Sequence, residues 1–222
     1  GILVNVFEAG ISESAITETK SKFERLGPHT MKALDSGGFQ LFEAETGKRK
    51  KTVTYDPLKP MKLGPVVNLA SEHIIQTALR IRPDIMISLD RPVRQERNQS
   101  LQNKLFEGNN AFNVDRAIEI ASMRDKCCLS SKLFIPLQLY NFEQFDIFNK
   151  SLQGIQFDGF SLPSRIFSLE KIALFLVKFL TMGFKKAHIL GTTKFSVLAL
   201  LAYFARNYYN FLSVDSTSWL QF

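Results

Sequence analysis

Cysteine is almost absent. The 222 residues contain two, Cys127 and Cys128, and they are adjacent. Neighbouring cysteines make poor disulfides with each other and do not frame a zinc site alone. A disulfide-stapled scaffold is thereby excluded, and the pair reads as free thiols in a reducing compartment. Long apolar runs are missing too. The most apolar stretch, residues 172–182, contains Lys178 and falls short of the roughly 18 residues that cross a bilayer. Residues 1–7 lack the basic flank and cleavage pattern of a signal peptide. These absences lead to the expectation of a cytoplasmic protein with no membrane partner. No internal repeat or low-complexity linker divides the chain.

What the chain does have is core-forming residues. They make up 45% of it, enough for one large domain or two small ones. Lys and Arg number 28 against 21 Asp and Glu, a formal charge of +7. That balance favours polyanions, whose counterions are released on contact. It also serves plain solubility.

Short apolar runs recur, each ending in a polar residue or a turn former. Residues 31–34 run into Asp35, 84–89 into Asp90, 132–137 into Gln138, 157–162 into Pro163, 187–190 into Gly191 and 209–214 into Asp215. Runs of this length suit strands buried on both faces of a parallel sheet. Helical spacing predicts helices over 71–81, 114–123, 168–182 and 194–208 between them. Strand and helix in alternation predict an α/β fold. The alternation alone does not separate a barrel from an open sheet. One segment breaks the rhythm. Around residues 43–65, Lys48-Arg49-Lys50-Lys51 precedes the β-branched alternation Thr52-Val53-Thr54-Tyr55, which predicts an inserted basic hairpin. Its tip is either a solvated surface or, beside a catalytic face, a grip on phosphate.

Asp35-Ser36-Gly37-Gly38-Phe39-Gln40 is the sharpest local feature. A carboxylate at a strand end is followed by two glycines, which allow backbone angles and close approaches that a Cβ forbids. An aromatic able to stack on a flat ligand comes next. A tight turn with an Asx cap is the plainer reading.

This hexapeptide resembles the signature of the tRNA-guanine transglycosylases, which exchange a guanine for a 7-deazaguanine. The strands ending at Asp90 and Gln138 are similar to the family strands that end in base-reading residues. Phe157-Asp158-Gly159-Phe160 and His188-Ile189-Leu190-Gly191 are similar to the two that follow. Val214-Asp215-Ser216 stands where the family has its nucleophile, and the order holds from about Met31 to Trp219. The resemblance implies a single domain over residues 1–222, a TIM-like (β/α)8 barrel with its site at the C-terminal strand ends. It implies Asp215 as nucleophile at C1′ and Asp35 as general acid and base. Asp90 would accept guanine N1–H and the 2-amino group, and the Gln138 amide would donate to O6. Phe39 and Leu190 would sandwich the base, with Ser36, Gly37, Gly38 and Gly191 around it. The implied partners are tRNA or DNA and a 7-deazaguanine base, the nucleotide being flipped out of its stack. The chain would work alone or in a homo- or hetero-oligomer, and Lys48, Arg49, Lys50 and Lys51 would contact nucleic acid.

Three departures shape the expectations. Leu162-Pro163-Ser164-Arg165 replaces the family's glycine pair, and Pro163 has no N–H, so Ser164 N–H would substitute. The family's Cys/His zinc ligands lie beyond the nucleophile; Phe222 is seven residues past Asp215, so no cofactor is expected in this chain and zinc only on an extension. Residues 1–30 leave room for one strand near 2–7 and one helix near 13–26, and a barrel typically takes about 250 residues. A barrel truncated or divergent at its first strands is expected. The tail after Asp215 is more similar to the archaeosine-type and DNA-modifying relatives than to the queuine type. Plainer roles stand beside each assignment: an ion-paired strand end for Asp90, a backbone cap for Gln138, a helix cap for Asp215, core packing for Phe39 and Leu190. His188 is read as structural. A non-catalytic family member and an unrelated barrel enzyme acting on a phosphorylated small substrate remain open; the latter predicts that the strand-end residues do not converge.

Overall fold

The computed structural model describes residues 2–6, 12–27, 29–37, 70–93, 98–192 and 194–215. The basic hairpin with Lys48, Arg49, Lys50 and Lys51, and Gly38 and Phe39, lie outside the described residues.

Each apolar run becomes a strand. They are β1 (Ile2–Asn5), β2 (Lys32–Asp35), β3 (Ile85–Ile87), β4 (Lys132–Pro136), β5 (Gly159–Pro163), β6 (Lys186–Leu190) and β7 (Phe211–Val214). Among the described residues six helices alternate with them: α1 (Glu13–Arg25), α2 (Ser71–Ile81), α3 (Gln99–Lys126), α4 (Phe142–Ser151), α5 (Leu169–Thr181) and α6 (Phe195–Asn207). Local chemistry sets several ends. The side chains of Ser12, Asn98, Asn141 and Ser168 accept backbone N–H bonds at the starts of α1, α3, α4 and α5. α2 buries Ile74, Ile75, Ala78 and Ile81 along one stripe. It ends where Arg82 turns left-handed before Pro83.

The strands pair in parallel, in chain order from β1 to β7. An order without reversal sends every crossover the same way. Right-handed crossovers then place all the helices on one face. Alternation along the strands divides the residues accordingly. Leu34, Met86, Leu133, Ile135, Phe160, Leu162, Ala187 and Ile189 point outward and pack in the two helix-side cores. Ile85, Ile87 and Phe134 form an inner layer joined by Leu3, Ala33, Leu190 and Phe211. The Phe134 and Phe211 rings meet edge-on at 5.9 Å. Three inter-strand steps separate β4 from β7, about 14 Å in a flat sheet. The sheet is therefore curled, and the fold is an all-parallel seven-stranded half-barrel wrapped by helices. Among the described residues no ladder joins β7 to β1, so the eight-stranded closure is not part of what is seen. Among them, no helix is long and apolar enough to cross a membrane.

Two carboxylates tie the N-terminal ends of the strands. Asp84 accepts from Lys32 N–H at 2.8 Å. Asp158 accepts from Leu133 N–H at 3.1 Å and from Lys186 Nζ at 2.7 Å. The opposite rim is left to functional side chains.

The helix-side core is aromatic. Phe160 on β5 is fully buried and its ring lies 5.0–5.4 Å from those of Phe145, Phe157, Phe179 and Phe184. Truncation there leaves a cavity between the sheet and the rings contributed by α4, α5 and the loops that precede β5 and β6. Phe160→Ala is expected to cost about 3–5 kcal/mol, read as a lower urea midpoint with an unchanged slope.

Candidate active site

Asp35 is the last residue of β2, and Asn5 ends β1 directly opposite it. Asn5 Nδ2 donates to Asp35 Oδ2 at 2.8 Å. The chain then turns at Gly37, whose φ of 81° is a left-handed conformation that a Cβ would strain. The turn aims the Gly37 amide at the Asp35 carboxylate. Gly191 repeats the device after β6 with φ 70°, and its N–H donates to Asp215 Oδ1 at 2.8 Å. Each of the two carboxylates is thus held by a glycine amide from a strand-end turn.

Asp90 follows β3, is 8% exposed, and accepts two bonds. Gln138 Nε2, from beyond β4, donates to Oδ2 at 2.5 Å. Ser36 Oγ reaches Oδ1 at 3.4 Å. Gln138 also accepts from Val93 N–H through Oε1 at 3.4 Å, so it caps backbone and faces Asp90 at once. The loop carrying Asp90 is pinned to its surroundings. Arg91 N–H donates to Asn113 Oδ1 at 2.6 Å, the Tyr140 hydroxyl donates to the Val93 carbonyl, and the Arg91 guanidinium stacks on Phe112 at 4.7 Å.

Asp215 immediately follows β7. Besides Gly191, its Oδ1 lies 3.4 Å from His188 Nε2. Its backbone continues the ladder, with N–H donating to Ile189 O at 3.3 Å and O accepting from Thr192 N–H at 3.1 Å.

The electrostatics divide the three carboxylates. Burial pushes Asp35 up to about 6, helped by the charge of Asp215 and opposed by the Gly37 amide, Asn5 and His188. Burial, with the charge of Asp35 second, pushes Asp90 up to about 7 against the bonds from Gln138 and Ser36. Burial acts the same way on Asp215, but the His188 ring beside it and the Gly191 amide outweigh it and hold Asp215 below its usual range. One carboxylate stays ionised while two hold or release a proton near neutrality, the division that suits a nucleophile beside an acid–base group.

The structure thus brings together Asp35, Ser36, Gly37, Asp90, Gln138, Gly191 and Asp215 at the C-terminal rim. Leu190, last in β6, packs on the inner apolar layer beneath them. Ser164 is buried and opens a single 3-10 turn after β5; its described contacts do not tie it to the carboxylates. Asn5 and His188 were not anticipated as site residues. His188 had a signal, since it shares the inward face of β6 with Leu190, two residues on; Asn5 had none, because the strand expected over 2–7 ends at Asn5. Among the described residues no cluster of three His, Cys, Asp or Glu is placed to hold a metal ion. In comparisons with known proteins, no family model matches the chain and no curated protein matches it.

The raised carboxylates set a sign for stability. Between about pH 4 and their folded values, Asp35 and Asp90 hold protons that the unfolded chain has released. Their contribution is fully present below pH 4 and is lost as pH rises through about 6 and 7. Asp90→Asn removes the cost of burying that charge. It is expected to raise the melting temperature at pH 8 and to leave it nearly unchanged at pH 4, measured by calorimetry across that range.

Proposed function

We propose that the chain is a glycosyltransferase that exchanges a guanine of a nucleic acid, tRNA before DNA, for a 7-deazaguanine. The reading rests on one observation: four residues from the ends of different strands, Asp35, Asp90, Gln138 and Asp215, converge on one rim. It entails a (β/α)8 barrel and a cytoplasmic setting.

In this mechanism guanine inserts its Watson–Crick edge between Gln138 and Asp90, which satisfy each other in its absence. Ionised Asp90 accepts N1–H and the 2-amino group, and the Gln138 amide turns to O6. Asp215 attacks C1′, forming a C1′–O bond as the C1′–N9 bond breaks. Asp35 supplies the proton that the departing base needs, then takes one from N9 of the incoming base. That base displaces Asp215 and restores the glycosidic bond. Because Asp90 must ionise to accept two N–H groups, base affinity rises with pH through about 7.

The test is release of labelled guanine from tRNA compared with duplex DNA. Release from one of them is expected, together with a covalent adduct when 9-deazaguanine is supplied. Asp215→Asn is expected to lose about 10⁴-fold or more in rate and to form no adduct. Gln138→Ala should weaken base binding by about 10- to 100-fold with a smaller effect on the chemical step. No release from either substrate, or an adduct that survives Asp215→Asn, sinks the reading.

A further inference from the structure

His188 lies where a buried histidine has no obvious structural use. It is on the inward face of β6, 6% exposed, in direct register with Ser213 on β7. Its Nδ1 is 2.8 Å from Ser213 Oγ. Its Nε2 makes no hydrogen bond of good geometry, and the polar atom it faces is Asp215 Oδ1 at 3.4 Å. One nitrogen faces a side chain of the neighbouring strand and the other the carboxylate just beyond that strand. With a carboxylate before it, Nε2 carries the hydrogen, and Nδ1 then accepts from the Ser213 hydroxyl. Contacts of this kind are often long in an unliganded site and shorten when charge develops.

The same oxygen is used twice. Gly191 N–H and His188 Nε2 both approach Oδ1 of Asp215. A carboxylate gripped by one oxygen from two directions has a fixed plane, and its other oxygen is presented for reaction. We propose that His188 is a positioning residue for Asp215, holding Oδ1 so that Oδ2 is the attacking atom, with Ser213 setting the histidine tautomer. This inference rests on the reading of Asp215 as the nucleophile. It adds a residue to that chemistry and leaves base recognition to Asp90 and Gln138. The row Ser213, His188 and Asp215 also resembles a serine-nucleophile triad in composition. The geometry points away from that role, because Ser213 sits within β7 rather than at its tip.

The experiment uses the whole chain and four proteins: wild type, His188→Ala, His188→Gln and Ser213→Ala. Single-turnover adduct formation on the substrate that releases guanine is measured beside guanine affinity. His188→Ala is expected to slow adduct formation about 100-fold with guanine affinity unchanged within twofold. His188→Gln, whose amide N–H replaces Nε2–H, is expected to recover at least tenfold of that. Ser213→Ala is expected to lose less than tenfold. Parallel loss of rate and guanine affinity in His188→Ala, or no recovery in His188→Gln, overturns the proposal. A loss in Ser213→Ala as large as that of Asp215→Asn overturns it in favour of a serine nucleophile. The contact is read independently of exchange by ¹³C NMR titration of the Asp215 carboxyl, which is expected to move up in both His188 variants. An unmoved titration overturns the His188 assignment even where exchange is active. A moved titration in a protein without exchange upholds the contact while the transglycosylase reading fails.

Discussion

A parallel sheet wound always in one direction has two unequal faces. Each right-handed crossover advances one strand and lays its helix on the same side, so the other side has no helix to cover it. The sheet can bury that side only against itself. Phe134 meeting Phe211 across the interior is the contact through which it does so, with Ile85, Ile87, Leu190 and their neighbours filling in. The apolar floor within follows from that curl. So does the approach of β2 and β7, which an open sheet would hold well apart.

The floor has an electrostatic consequence. It excludes water from beneath the rim, and charges standing on it are poorly screened. Three carboxylates cannot all remain ionised there at no cost, and their surroundings divide them. Asp215 receives a histidine and a turn amide and keeps its charge. Asp90 receives an amide and a hydroxyl, which are not enough to offset burial. Asp35 lies between the two in environment and in proton affinity. The glycines at 37 and 191 matter because each left-handed turn presents an amide to a carboxylate, Gly37 to Asp35 of its own strand and Gly191 to Asp215 beyond the neighbouring one.

The strands and most helices were legible because burial imposes a period. Residues 71–81 were read as a helix and α2 spans Ser71–Ile81. The N-terminal strand and helix also fell where the sequence left room for them. Two elements were not legible in full. α3 was expected over 114–123 and runs from Gln99 to Lys126. Its first half buries little beyond Gln102 and Phe106, so it has no apolar stripe to read, and it carries Gly108 besides. α4 was not anticipated; its signal is the Asn141 cap and the pair Phe145 and Phe148, too brief to register as a period.

Within the site, the Asp35 motif and the polar ends of the apolar runs at Asp90, Gln138 and Asp215 were legible, and the family resemblance singled them out. Local order along the chain determined that much, because strand length and alternation dictate which residue arrives at a rim. What the chain order does not contain is which rims meet. The bond from Gln138 to Asp90 spans 48 residues and that from Asn5 to Asp35 spans 30, while His188 meets Asp215 across the β6–β7 ladder. Those contacts exist because the strands pair as neighbours in a fixed register; the charge of Asp215 reaching Asp35, from strands five apart, is what the curl adds. Chain order names the residues that arrive at the rim; the folded sheet assigns their partners, and through the partners which carboxylate is held below its usual range and which two are raised.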